Sequence, residues 1–279
     1  MLAMKFCVAI GGLGRIPAAK GIEDFVYAMV DALRRLGHEV GPKSDGGRLI
    51  LFNASAVNPC LIPDDAILYN SEQVSAEQKW NLIPHIEVAR ERVVWDYCDT
   101  NVSWLKAHGV ARAVLCPVGY APSMERIRRV GEGGEGIDVL FYGALNDRRK
   151  AILDELDAAG LRVTRLLGVF GEERDKVIAR AKVVLNLHFY DRPVFEIFRV
   201  SHLLANRKCV LSEGGGQDVA LEDFARCSTR YTAREDIVEQ CRQLVMLPAL
   251  RHTVAVRGYA AFRALDLVEN VRTSLDASA

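Results

Sequence analysis

Short apolar runs alternate along this chain with segments whose apolar positions recur every three or four residues, and the alternation predicts strands and helices taking turns. KFCVAI (Lys5–Ile10) reads as a buried strand, GGLGR (Gly11–Arg15) as a turn, and residues Ile22–Leu36 as an amphipathic helix closed by Gly37. RLILFNAS (from Arg48) and AILYNSEQ (from Ala66) read as further strands. A helical stretch around Gln78–Arg90 follows, then the strand RVVWDYC, the short helix NVSWLKAHG and the strand RAVLCPVGY, which ends at Tyr120.

After the glycine-rich interval Gly131–Gly136 the same rhythm resumes. DVLFYGALN, LRVTRLLG, KVVLNLHF and KCVLSE are strand-like, while RRKAILDELDAAG, EERDKVIARA and FEIFRVSHLLANR have helical spacing, and from Ala233 the chain is helical to its end with a break at Pro248. Alternating strands and helices imply parallel sheets. The expected architecture is therefore α/β, with two Rossmann-like domains (residues 1–130 and 131–279), a C-terminal helical tail, and a cleft between the domains.

Composition narrows the function. Half of the 279 residues are hydrophobic, enough for two cores, and the 36 Lys and Arg balance the 36 Asp and Glu. The chain thus has no global field for nucleic acid or membrane, only local patches such as Arg126–Arg129. Seven widely spaced cysteines without a C-x-x-C pair argue against a disulfide framework and a zinc site. No apolar run approaches the roughly 20 residues of a membrane-spanning helix and no cleavage-site pattern follows the start, so a cytoplasmic protein is expected.

Candidate chemistry gathers at strand ends. Arg148, Arg149 and Lys150 crowd a helix start, where cations oppose the helix dipole, so an anion is expected there. In NLHFYDRPVFEIFR, His188, Tyr190, Asp191, Arg192, Glu196 and Arg199 follow a strand; Glu196 and Arg199 share a helical face, where a local salt bridge is the plainer reading. Glu213 and the glycines Gly214–Gly216 follow the next strand and offer backbone N–H groups to a phosphate, or form a mere surface loop.

In the first half, Gly12, Gly14 and Arg15 form either a tight turn or part of an acceptor loop; the third glycine of a dinucleotide fingerprint is missing. Asn70, Glu72 and Gln73 end a strand, where Glu72 is a candidate base or a residue in the first turn of a helix capped by Asn70 or Ser71. Asp96, Asp99 and Asn101 favour structure, with Asp99 or Asn101 as helix cap, and Tyr120 marks a corner. No D-x-D and no metal-ligand spacing occurs.

Taken together, DVLFYGALNDRRKAIL, AKVVLNLHFYD, VFEIFRVSHLLANRKCVLSEGGG, YNSEQ and WDYCDTN resemble the GT-B glycosyltransferases, in particular the compact CgeB-like bacterial and phage-borne group. The resemblance covers most of the chain and is strongest over Asp138–Gly216. It implies a metal-independent transfer of a sugar from a nucleotide-diphosphate sugar, with no cofactor, to a hydroxyl acceptor: a surface glycan, a glycolipid or a hydroxymethylated pyrimidine of DNA. It further implies a donor side of Gly143, Asn146, Arg148, Arg149, Tyr190, Glu196, Arg199, Glu213, Gly214 and Gly215, with Glu196 on the ribose. The acceptor side would hold Gly12, Gly14, Arg15, Asn70, Gln73 and Tyr120, and the catalytic candidates are Glu72, Asp96 and His188. One departure stands out: the paired glutamates of such enzymes, E-x7-E, are not found forward of Glu196, where Leu204 occupies the place. On this reading Arg149→Ala weakens donor binding and leaves folding nearly unchanged. The alternatives are an NAD-dependent nucleotide-sugar epimerase or dehydrogenase, which would use GGLGR, and a non-catalytic nucleotide-sugar-binding domain.

Overall fold

In the computed structural model, which describes residues 3–74, 85–128, 130, 134–190 and 193–279, the chain divides into two compact units. One comprises residues 1–123 with 266–279, the other residues 124–265. The break expected near residue 130 thus falls at 123/124, and the helical tail is shared between the units rather than belonging to the second.

The first unit is a six-stranded parallel sheet, β1 (Lys5–Ile10), β2 (Glu39–Val40), β3 (Arg48–Phe52), β4 (Ile67–Asn70), β5 (Val93–Asp96) and β6 (Ala113–Leu115), in the order β2-β1-β3-β4-β5-β6. β4 and β5 are buried at every position, the mark of strands covered on both faces. Helix α1 (Glu23–Arg35) buries Phe25, Val26, Met29, Ala32 and Leu33, one stripe at helical spacing. Gly37 ends it at φ +86°, and the N–H groups of Gly37 and His38 donate to the carbonyls of Arg34 and Leu33, a Schellman closure that needs a left-handed residue.

Helices α2 (Ile86–Arg90) and α3 (Asp99–Ala107) complete the first half; the remainder of the expected helix over Gln78–Arg90, before residue 85, lies outside the described residues. Neither Asp99 nor Asn101 caps α3, because Cys98 holds that position. The last helix, α10 (Leu267–Asp276), returns to this unit: Trp95 Nε1 donates to Ser278 Oγ at 2.9 Å, Ser274 Oγ to the Leu115 carbonyl at 3.0 Å, and Asn270 to the Pro117 carbonyl at 3.1 Å. That docking is why the tail does not belong to the second half.

The second unit holds a five-stranded parallel sheet of β7 (Ile137–Tyr142), β8 (Val163–Leu166), β9 (Ala181–Asn186), β10 (Val210–Glu213) and β11 (Arg230–Thr232), ordered β11-β10-β9-β7-β8. Its helices are α4 (Asp147–Ala158), α5 (Gly171–Ala179), α6 (Ile197–Ala205), α7 (Val219–Ser228), α8 (Ile237–Met246) and α9 (Pro248–Arg263), with Pro248 in the first turn of α9. Its core joins Phe141, Ile152, Leu153, Leu156, Leu185, Leu211 and Leu244. The sheet order matters because it sets the C-terminal ends of β7, β9 and β10 side by side. No helix among the described residues is long and apolar enough to cross a membrane.

Candidate functional site

Three arginines and two carboxylates meet at those strand ends. Asn146 caps α4 by accepting from the Arg149 N–H at 2.9 Å and donates its own amide to the Phe189 carbonyl at 2.8 Å, tying the β7–α4 turn to the end of β9. Arg148 forms a two-pronged ion pair with the buried Glu213, with Nη1 at 2.9 Å, and also reaches the His188 carbonyl at 3.1 Å. Burial raises the Glu213 pKa, but Arg148 and the His188 N–H outweigh it, so the carboxyl sits below its usual range and is ionised.

Arg149 is 2% exposed and points inward. Nε and Nη2 donate to the Leu187 carbonyl at 3.1 and 2.5 Å, Nη1 donates to the Ala144 carbonyl at 2.8 Å, and Nη2 pairs with Glu196. Its guanidinium also lies 5.3 and 5.0 Å from the ring centres of Phe141 and Phe189. This corrects the expectation that Arg149 meets a phosphate. The anion that the helix start demanded is supplied, for this residue, by Glu196.

Glu196 precedes α6 and bridges Arg149 and Arg199, with Arg199 Nη2 at 2.5 Å. The local salt bridge expected from their spacing therefore exists, and Arg149 completes a triad. Arg199 is the member with capacity left over: its Nη1 is buried without a hydrogen-bond partner among the described residues. A Cβ on Gly143 would come within 2.8 Å of Arg199 Nη2, so glycine there, at φ +129°, makes room for the guanidinium. Among the described residues the cluster sets three cations against Glu196 and Glu213, one positive charge in excess beside an unsatisfied donor.

His188 is 2% exposed, and neither ring nitrogen has a partner among the described residues. Burial lowers its pKa despite the nearby carboxylates of Glu213, Glu196 and Glu222, so the imidazole is neutral at pH 7. Tyr190 stands edge-on to Phe189 at 5.0 Å; Asp191 and Arg192 lie outside the described residues.

The glycine loop after β10 does not offer all its N–H groups. Gly214 donates to the Thr232 carbonyl at 2.9 Å and Gly215 to the Tyr231 hydroxyl at 3.0 Å. The Tyr231 ring fills the place of a Gly214 side chain, and Glu222, paired with the Tyr231 hydroxyl, fills that of Gly216. The phosphate-cradle reading is corrected for Gly214 and Gly215: the loop is wedged against Tyr231 and Glu222, residues that sequence reasoning missed because the three-residue β11 gives no periodic signal.

In the first unit Asp96 is fully buried. It accepts from Asn70 Nδ2 at 2.6 Å, Asn101 Nδ2 at 3.0 Å and the Cys98 N–H at 3.1 Å. Both amides also donate to the Glu72 carbonyl, at 2.7 and 3.0 Å, and Asn101 accepts from the Val74 N–H. Burial outweighs these lowering bonds and pushes Asp96 up to about 7. Asp96 therefore orients the chain around Glu72, and the Asn70 Nδ2 group is engaged by Asp96 and the Glu72 carbonyl. The Glu72 side chain is exposed, Gln73 is half-buried, and the helix expected after them lies outside the described residues.

The glycine turn closes on β3, with Asn53 Nδ2 donating to the Gly11 carbonyl at 2.8 Å and Arg15 to the Ala56 carbonyl at 3.2 Å. Gly12 and Gly14 both take positive φ. The turn runs into a 3-10 segment, Pro17–Ile22, and α1 then starts with Glu23 and Asp24, two carboxylates where a pyrophosphate would need N–H groups. That disfavours the dinucleotide alternative. Tyr120 bridges to Asp266, its carbonyl accepting from the Leu267 N–H at 3.2 Å.

No protein-family model matches the chain. The uncharacterized protein L140 of Acanthamoeba polyphaga mimivirus is 27% identical over 183 residues, 64% of this chain and 59% of that protein; the chain thus spans less than two thirds of this relative. Sucrose-phosphate synthase from Thermosynechococcus elongatus has a similar structure, with TM-score 0.65, 12% identity and full coverage of both chains. HepE of Anabaena, solved in complex with UDP and glucose, matches with TM-score 0.62 and 12% identity over 98% of each chain. The expected GT-B fold is the fold of this chain.

Proposed function

We propose that this chain, which has the GT-B fold, is a glycosyltransferase that moves a sugar from a nucleotide-diphosphate sugar to a hydroxyl acceptor without a metal ion. The observation that carries the reading is Arg199: a guanidinium with a buried, unpartnered Nη1, beside Gly143 at the strand ends of the second unit, in a cluster with surplus positive charge. In the reaction the acceptor oxygen bonds to the anomeric carbon, the bond from that carbon to the diphosphate breaks, and the acceptor proton passes to a base. Negative charge builds on the departing diphosphate. Arg199 and Arg148 would stabilise it, the part a divalent cation plays in other transferases. Glu196, held by Arg149, keeps Arg199 in place and remains the candidate for the ribose. Glu72 is the candidate base, its backbone fixed by Asn70 and Asn101. The solved HepE complex makes UDP the first nucleotide to test.

The test is calorimetric titration with UDP, followed by a donor-hydrolysis assay with and without EDTA. Saturable binding that Arg199→Ala weakens, and a rate that survives the chelator, support the proposal. Absence of nucleotide binding removes it, and loss of activity restored by magnesium or manganese removes its metal-free part.

A further inference from the structure

The second sheet has another charged hollow, at the end away from Arg199. It lies where β7, β9 and β10 begin, and has a volume of about 480 Å³. Strands of six residues put roughly 20 Å between the two ends, so the hollow and the donor cluster do not overlap.

Its charged lining is predominantly positive. Arg128, Lys182, Arg207, Lys208 and Arg251 are permanent cations, His252 stands exposed at the rim, and Glu135 is the sole carboxylate among the described lining residues. Several cations are fixed from behind. Arg251 donates to the carbonyls of Leu244 and Val245, both at 2.9 Å, and to Glu135 at 3.1 Å. Lys182 meets Asp138 at 2.7 Å, and Asp138 is shared with Arg162 at 2.8 Å. Among the described residues, setting Asp138 and the Glu125 that meets Arg207 beside Glu135 gives five lining cations against three carboxylates.

A second observation is independent of the charge sum. Arg207 follows the end of α6 at φ +53°, with its N–H and that of Lys208 donating to the carbonyls of Leu204 and Leu203. Helices close this way on glycine or asparagine, and an arginine is strained there. Its guanidinium lies 3.5 Å from the centre of the Tyr259 ring and pairs with Glu125 at 2.8 Å, a costly backbone retained under a cation held in one place.

We propose that this hollow binds a compact phosphate-bearing anion, at a site separate from the donor cluster. Fixed guanidinium and ammonium groups around a concavity suit phosphate oxygens, and the volume suits a short polyphosphate or a small phosphate ester better than a polymer.

The experiment titrates the full chain with tripolyphosphate by calorimetry, alone and with saturating UDP. Variants are Arg128→Glu and Lys208→Glu, with Arg199→Ala as the donor-site control and melting curves to check folding. The expected result is saturable binding below about 1 mM that persists with UDP and in Arg199→Ala, and that weakens at least about tenfold in each charge reversal. Arg128 is exposed, so its reversal remains informative even if Lys208→Glu disturbs the fold. The proposal is overturned by absence of binding, by displacement with UDP, by charge reversals without effect, or by capture of a DNA duplex in place of tripolyphosphate. None of these outcomes depends on whether the chain transfers a sugar.

Discussion

Arg149→Ala should destabilise rather than disarm the second unit. The substitution removes all four donor contacts of a side chain that is 2% exposed. The Leu187 carbonyl, in a residue with no exposure, loses both its guanidinium bonds, and an unsatisfied buried acceptor costs about 1–3 kcal/mol. Lost cation contacts with Phe141 and Phe189 add about 0.5–2 kcal/mol. Ala144 is exposed, so its carbonyl regains water, and Glu196 keeps Arg199, which avoids the larger penalty of an orphaned buried charge. The sum is about 1.5–5 kcal/mol, a large part of the stability of a domain. Arg149→Lys, which retains the charge but loses the planar fork, should cost roughly half as much. The described tryptophans, Trp95 and Trp104, lie in the first unit, so fluorescence is the wrong probe. Hydrogen exchange of β7 and β9 amides under increasing urea reads the correct unit. Protection unchanged to within about 0.5 kcal/mol, together with weakened UDP binding, would refute the reasoning and return Arg149 to the phosphate.

Arg199→Ala should do the reverse, weakening UDP binding by about 1.5–3 kcal/mol in calorimetry while the urea midpoint of the second unit barely moves, because its side chain retains an open donor. Glu72→Gln should lower turnover by about 10²- to 10⁴-fold with UDP affinity preserved if Glu72 is the base; a near-normal kcat would dismiss it, and the fully buried Asp96 and shielded His188 are then the groups to probe. Asp96 also sets a pH dependence. Its folded pKa of about 7 exceeds the usual 3.8, so the folded chain holds a proton that the unfolded chain releases, and this group's contribution to stability falls as pH rises from about 4 to about 7, by at most roughly 4 kcal/mol. Urea unfolding at pH 5 and 8 should show that decline in the native chain and a smaller one in Asp96→Asn.

What the sequence determined by itself is the set of elements and their class. Apolar runs such as Val139–Tyr142, the helical stripe of α1 and the glycines at 37 and 160 act within a few residues of themselves, so they can be read without knowing what lies across the sheet. The local pairing of Glu196 with Arg199 is of the same kind, since one helical turn separates them. The tertiary structure decided which charges were already spent. Arg148 finds Glu213 at a separation of 65 residues and Arg149 finds Glu196 at 47, because the order β10-β9-β7 sets those ends together. Two arginines that look alike at one helix start therefore end as a half-buried pair-former and a buried brace. The same holds for Gly214 and Gly215, whose N–H groups are consumed by a short strand with no periodic signature, and for α10, which returns across 183 residues to put Ser278 on Trp95. Periodicity is a property of neighbours in the chain; satisfaction of a buried donor depends on neighbours in space.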